Sequence, residues 1–402
     1  MHSTENPPPL DRAPYAGLRV VELARILAGP WIGQTLADLG ADVIKVEAPE
    51  GDDTRKWGPP FLHRAPDETP DAAYFHSCNR GKRSVVADLR TAAGQDLVRR
   101  LAERADVLIE NFKVGGLEKF GLDYATLSAL NPRLVYCSVT GFGQTGPYAQ
   151  RAGYDFAIQG MSGIMDLTGE PEGGPQKIGV AFADVFTGTY GVIAVQAALA
   201  QRERTGRGQH IDMALLDTMV GVLANQALNY LVSGVTPRRL GNEHPNIVPY
   251  QVFSVSDGQV IIAVGNDSQY QKLCVSLCAP ELASDARFAS NPDRVQNRAA
   301  LIPLLVAKLE RFTRAQILEV LDACGVPCGP INTVADVFAD PQVIARGMRI
   351  DPQSIPGVRT PIVFSAAQLR LDRRSPQLGE HTAEVLRELG MAPTGEPRRA
   401  GH

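Results

Sequence analysis

Asp184 is the side chain in this sequence best placed to do chemistry. It stands at the start of a stretch that is apolar or small at nearly every position from Val185 to Ala200. That pattern predicts a helix buried on most of its faces. Two readings of an aspartate at such a point stay open. It is a favoured helix N-cap. It is also a suitable nucleophile, because helix-end amides favour the ionised carboxylate, which attacks an activated carbonyl without a base to deprotonate it. Gly188 and the small residues near it would leave room for a substrate. A second cluster, Arg151-Ala-Gly-Tyr-Asp155, puts a cation, a phenol and a carboxylate in one loop, though Asp155 could simply bond its own backbone there. The polar, Pro-rich Gly241-Asn-Glu-His-Pro-Asn-Ile-Val-Pro-Tyr250 carries His244, either a surface residue or a catalyst.

Other groups point to a nucleotide-like ligand with less force. Lys82, Arg83, Arg90, Lys113 and Lys119 are scattered cations that are either solvated or able to meet phosphates. Phe112 and Phe120 would pack in a core or on an adenine. Gly141-Phe-Gly-Gln-Thr-Gly146 fits G-x-G-x-x-G, yet Pro147 and the loop-like Tyr148 to Gly153 follow where a helix should open on the pyrophosphate. Glu47 imitates the ribose-binding acid, but the first strand-to-helix turn, Ala24 to Pro30, lacks the glycines. These are read as loop glycines.

The elements that must position such groups alternate in type. Strand patterns at Leu18–Leu23, Ala41–Glu47, Asp106–Glu110 and Leu134–Thr140 alternate with helical ones at about Pro30–Leu39, around Leu97–Ala105 and at Tyr124–Leu130. This is the signature of βαβ units and a mostly parallel sheet covered on both faces. After about residue 205 the pattern changes. Tyr250–Val255 and Gln259–Val264 flank Ser-Asp-Gly as a hairpin, and helices are expected over 299–311 and 313–323. Thr394 to His402 reads as a frayed polar tail.

Composition sets the bounds. The chain has 402 residues, 44% of them apolar and 21% charged, with 40 Lys+Arg against 44 Asp+Glu. That is ordinary globular composition, with no basic excess to suggest a nucleic-acid partner. No run of 18 apolar residues suggests a membrane span, and Met1 to Tyr15 has no apolar core for a signal peptide. The six cysteines include Cys274/Cys278 and Cys324/Cys328, spaced C-x3-C without a histidine cluster. They are read as reduced thiols rather than metal ligands, and the expected compartment is cytoplasmic.

Taken together, the chain resembles the class III CoA-transferases, the family of formyl-CoA and carnitine CoA-transferases. The resemblance runs from about Leu18 to Leu389. Its motifs are Leu27-Ala-Gly-Pro30 with Leu39-Gly-Ala-Asp-Val-Ile-Lys-Val-Glu47, then Asp53-Thr-Arg-Lys-Trp57, Asn79-Arg-Gly-Lys-Arg-Ser84 and Glu110-Asn-Phe112. The Asp184 helix ending in Thr205-Gly-Arg-Gly-Gln209, Val326-Pro-Cys-Gly-Pro330 and Leu378-Gly-Glu-His-Thr382 complete the set.

The resemblance implies an α/β fold with a Rossmann-like parallel-sheet large domain from both chain ends, a smaller α+β domain, and an interlocked homodimer. The expected boundaries are 1–214 and 331–402 for the large domain, 236–315 for the small one, and linkers at 215–235 and 316–330. It implies transfer of CoA through an aspartyl-CoA thioester on Asp184, with CoA thioesters as substrates and no resident cofactor or metal. CoA contacts would fall at Leu27, Ala28, Arg90, Asn111, Phe112, Lys119, Phe120, Arg151 and Tyr154, with Arg25, Arg55, Asp155 and His244 as active-site neighbours. The Gly241–Tyr250 loop is similar to that of members using succinyl-CoA and dicarboxylic acids. The same fold serves 2-methylacyl-CoA racemases, but those carry Gly-His-Asp where this chain has Gly153-Tyr154-Asp155, and a phenol of ordinary pKa about 10 is a poor proton shuttle. A CoA-binding regulator without catalysis is the third reading, which would need no carboxylate at 184.

Overall fold

The computed structural model describes residues 13–63 and 69–391. Most of the Pro-rich leader and the tail from Thr394 lie outside them. Contacts divide the chain into two compact units. The large unit comprises Met1–Ile164, Lys177–Leu231 and Ile344–His402; the small one comprises Met165–Gln176 and Val232–Val343.

A sheet of six strands organises the large unit: β1 (Arg19–Glu22), β2 (Asp42–Glu47), β3 (Arg83–Val86), β4 (Val107–Glu110), β5 (Val135–Thr140) and β6 (His210–Ala214). All pair in parallel, in the order 3-2-1-4-5-6. This is the doubly wound order, whose direction of winding reverses between β1 and β4. The strands are apolar on both sides because helices cover both faces. Val20, Val43, Val107 and Val135 point into one core with α1 (Ala28–Asp38). Val21, Ile44, Leu108 and Tyr136 point into the other, closed by helices at Ala92–Arg104 and Tyr124–Leu130.

Both chain ends share that second core. The helix Thr382–Glu388 contributes Val385 and Leu386 to it. The Arg83 guanidinium, nearly buried, holds Asp42, Glu384 and Glu388. Beneath the first strand-to-helix turn lies a charge network that takes up Lys82, read above as a scattered cation. Glu22, Lys45 and Lys82 are fully buried, and Glu22 accepts from both ammonium groups at 2.8–3.0 Å. Lys82 also donates to Asn79 and to the Pro30 carbonyl. Lys82 and Arg83 are therefore structural, because a buried cation persists only when paired and hydrogen-bonded.

The small unit is a three-stranded antiparallel sheet packed on helices. Tyr250–Val255 and Gly258–Ala263 form the hairpin, Cys328–Pro330 adds the third strand, and Arg298–Leu309 and Arg314–Cys324 supply Leu301, Leu305, Ile317 and Leu321 to the core.

Three expectations change. The segment 215–235 is not an irregular linker: Leu215–Gly221 and Ala224–Ser233 are helices, and the first buries Leu215 and Met219 in the large unit. Helix Arg314–Cys324 likewise extends into the second expected linker, because its apolar residues at helical spacing complete the small core. Finally, the helix carrying Asp184, Phe182–Thr205, buries one stripe only. Tyr190 is 46% and Ile193 53% exposed. This helix of 24 residues is long and apolar enough by composition to cross a membrane, contrary to the simple run count, but its stripe of Ala183, Val192, Val195 and Ala198 belongs to the core of the large unit.

Candidate active site

A cleft runs along the carboxyl ends of the strands, where ligands bind in open parallel sheets. It has two sections, of about 300 and about 290 Å³, that share Arg25 and Phe112. Leu27, Ala28, Asn111, Arg151, Tyr154 and Asp184 line the section centred on the β1/β4 reversal. Arg90 and Phe120 line its neighbour, beyond β2 and β3. The structure thus brings most of the expected residues together from five separate stretches of chain.

The turn after β1 is fixed from outside. The Asn111 side chain accepts from the Arg25 N–H at 3.0 Å and donates to the Arg25 carbonyl at 2.8 Å, tying the loop after β4 to the loop after β1. Ile26 has φ of 72°, a left-handed conformation that is costly for a β-branched residue and persists only where its surroundings enforce it. The Ile26 N–H donates to Asp52 at 3.3 Å, and the Cys78 thiol donates to the Ile26 carbonyl. Lys45 and the Thr54 N–H hold Asp52 ionised against its burial, with its carboxyl at about 2. The turn leads into α1, so that Ala28, the first helical residue, presents one of the free amides of a helix N-terminus.

Asp184 meets that amide. It is the third residue of the helix Phe182–Thr205, whose N-cap position is Ala181 and makes no side-chain cap. The N-cap reading of Asp184 is therefore set aside. The capping is done by Asp155, which accepts from the Ala183 N–H at 2.8 Å and the Asp184 N–H at 3.4 Å. The Asp184 carboxylate is left free of that duty, and the Ala28 N–H lies close enough to favour its charged form. Burial and the neighbouring Asp155 charge push its carboxyl up to about 7, against the opposing Ala28 amide. Desolvation and like charge thus work against the helix-end amides that favour the ionised form.

Two close approaches make this geometry possible. A Cβ on Gly188 would stand 2.8 Å from both the Ala28 carbonyl and the Trp31 Cβ. Gly188 therefore provides contact between two helices rather than space for substrate. A Cβ on Gly141 would stand 2.6 Å from the Gly153 Cα, so the glycine-rich run admits the Arg151–Tyr154 loop onto the end of β5. No helix opens at Gly146, as the missing periodicity implied.

The remaining candidates sort by what they touch. The Arg151 guanidinium lies over Tyr148, 4.5 Å from the ring centroid. Arg25 pairs with Asp53 in an exposed contact. Arg90 is largely exposed and forks onto Asp88. Lys119 rests over the Phe120 ring and does not line the cleft. Arg55 is spent elsewhere: buried, it is bound to Glu47 at 2.7 Å, Asp71 at 2.8 Å and the Pro376 carbonyl, which removes it and Glu47 from ligand binding. His244 belongs to the small unit, where its Nδ1 accepts from the Asn246 N–H and its ring packs on Tyr250.

Sequence reasoning missed two groups. Tyr74 lies within electrostatic reach of Asp184, and burial first, then that charge, pushes its phenol up to about 12. Glu110, buried below the Asn111 loop, is pushed up to about 7 by burial, although Ser138 and the Phe112 N–H favour its charge. Only the Glu110-Asn-Phe112 motif carried any signal for either. Among the described residues, no group of three or more His, Cys, Asp or Glu side chains could hold a metal, and all six cysteines are free.

Comparison with known proteins agrees with this architecture. Over 387 residues the chain is 57% identical to the succinate--glutarate CoA-transferase of Agrobacterium fabrum, covering 95% of this chain and 97% of that one. It is 40% identical to the succinyl-CoA:glutarate CoA-transferase of Mus musculus, covering 94% and 86%. A crystal structure of a CAIB/BAIF family protein from Brucella suis superposes with a TM-score of 0.83 at 67% identity, over 95% of this chain and 99% of that one. The sequence model of CoA-transferase family III matches residues 15–382, and the chain belongs to that family.

Proposed function

We propose that the protein transfers CoA from succinyl-CoA to a dicarboxylic acid, glutarate being the first candidate, through an aspartyl-CoA thioester on Asp184. The observation that carries this reading is the uncapped Asp184 carboxylate, facing the Ala28 amide within the cleft at the β1/β4 reversal. The dicarboxylate assignment draws on the two relatives named for succinate or succinyl-CoA and glutarate.

The chemistry is an exchange of acyl partners. An Asp184 oxygen attacks the succinyl thioester carbonyl; the C–S bond breaks, CoA leaves as thiolate, and a mixed anhydride remains. The thiolate attacks the aspartyl carbonyl, succinate departs with the C–O bond's electrons, and Asp184 carries CoA as a thioester. The acceptor carboxylate then attacks that thioester, giving a new anhydride and releasing thiolate. Attack of the thiolate on the acceptor's acyl carbon yields the new CoA ester and restores the Asp184 carboxylate. Each step develops negative charge on an oxygen bound to the carbon under attack, and the N-terminus of α1 suits such charge. Arg25, Lys113 and Arg151 make the cleft favourable for an anionic CoA ester.

A homodimer accompanies this reading. Its support is the apolar side chains left in the open on the nucleophile helix, Phe182–Thr205, and on Ala224–Ser233, among them Tyr190, Ile193, Leu228 and Leu231, a surface unusual for a chain that works alone. Light scattering of the purified protein should give twice the chain mass.

The decisive assay supplies succinyl-CoA and a panel of mono- and dicarboxylic acids and reads new CoA esters by mass spectrometry. Glutaryl-CoA should form, and Asp184→Asn should lower its rate by about 10³-fold or more while CoA still binds. Deuterium washout from the α-carbon of a 2-methylacyl-CoA without any acyl exchange would instead establish the racemase reading.

A further inference from the structure

Asp155 does not line the cleft, yet every contact it makes bears on the nucleophile. Its Oδ1 accepts from the Ala183 and Asp184 N–H groups. Its Oδ2 accepts from Gln159 Nε2 at 2.8 Å. Gln159, itself fully buried, is held in that orientation because its Oε1 accepts from the Ile178 N–H at 2.9 Å. Asp155 thus joins the start of its own helix, Asp155–Met161, to the approach and first turn of the nucleophile helix. A helix whose own N-cap side chain makes no bond needs a partner for its first amides. Here that partner arrives from another element and brings a negative charge beside the reacting carboxylate.

We propose that Asp155 is a positioning residue for the transfer reaction: it fixes the first turn of the nucleophile helix and sets its own carboxylate beside that of Asp184. This rests on the reading of Asp184 as the nucleophile. The groups facing Asp184 are Asp155, Tyr74 and the Ala28 N–H, with Arg25, Lys113 and Arg151 along the cleft. Of these, Asp155 is the anion that disfavours a second negative charge, in line with the upward displacement of Asp184. A carboxylate held less comfortably ionised is a stronger nucleophile once ionised.

The test is the pH dependence of kcat for Asp155→Asn. Asparagine keeps an oxygen for the Ala183 and Asp184 amides but removes the charge. The acid limb should move to lower pH by about one unit, as expected for loss of a like-charge neighbour, with the plateau kcat reduced and KM for succinyl-CoA within about two-fold of the parent. In that variant the new amide nitrogen faces Gln159 Nε2, donor against donor. Asp155→Asn with Gln159→Glu restores an acceptor and returns a charge one turn away, so the limb should move back up. An acid limb that stays in place, or a raised KM with unchanged kcat, overturns the proposal. A mass adduct of CoA on the peptide containing Asp184 in the parent protein separates the two ideas: its absence sinks the nucleophile reading itself, whereas its presence with an unmoved limb sinks only the role of Asp155.

Discussion

Two carboxylates, one opening a short helix and one the third residue of another, divide the work that either could have done alone. Asp155 caps, and Asp184 is left to face the Ala28 amide. The division has a thermodynamic consequence. The Asp184 carboxyl titrates at about 7 in the fold, against about 4 for an aspartate in an unfolded chain. Below pH 4 both states bind the proton and nothing is lost. From pH 4 to 7 the unfolded chain releases it first, so ionisation draws the equilibrium toward unfolding, and the cost is complete above 7. Asp184→Asn should therefore melt at the same temperature as the parent near pH 4 and higher at pH 8. The difference should be worth about 4 kcal/mol at most, measured by thermal denaturation at the two pH values. Loss of activity with gain of stability is the usual mark of a group kept for function.

Between elements, the decisive contact is the one at Gly188. The helix Phe182–Thr205 and α1 approach until a methyl group at this position would overlap the Ala28 carbonyl and the Trp31 side chain. Gly188→Ala should push the helices apart, cost about 1–3 kcal/mol by overpacking, and reduce kcat by more than it raises KM, because the Asp184–Ala28 contact loosens while the far section of the cleft is untouched. The β1 turn shows the same dependence on neighbours. Ile26 holds a strained φ because Asn111 and Asp52 grip the backbone on either side. Below it, Glu22→Gln should cost about 3–5 kcal/mol in denaturant unfolding, because Lys45 and Lys82 would remain buried with their shared carboxylate removed.

At the level of the molecule, the second core of the large unit is assembled from distant stretches of the chain. Leu386 is 3% exposed and packs with Val85, Leu97 and Leu108, nearly 300 residues earlier in sequence. Leu386→Ala should cost about 2–5 kcal/mol, and the loss should appear in the transition that reports the parallel sheet, not only at the carboxyl end. A fluorescence and far-ultraviolet melt followed together would show this as a shift of both signals.

The strand and helix alternation, the hairpin at Ser256-Asp257 and the position of Asp184 at a helix start were legible from the chain alone, because each is a local pattern of period, turn chemistry and side-chain size. The ordered motifs from Leu27-Ala-Gly-Pro30 to Leu378-Gly-Glu-His-Thr382 made the family legible as well. Tertiary structure alone decided what each polar residue is for. Lys82 and Arg83 look like phosphate ligands in sequence and Arg55 like an active-site neighbour, but burial matched Arg55, Lys82 and Arg83 to Glu47, Glu22 and Asp42. Gly188 looks like room for substrate and is a helix contact. The ionisation of Asp184 depends on Asp155 and Ala28, 29 and 156 positions away, and on exclusion of water by elements between them. Period and propensity act over a few residues, whereas desolvation, charge pairing and close packing depend on which distant segments the fold brings together.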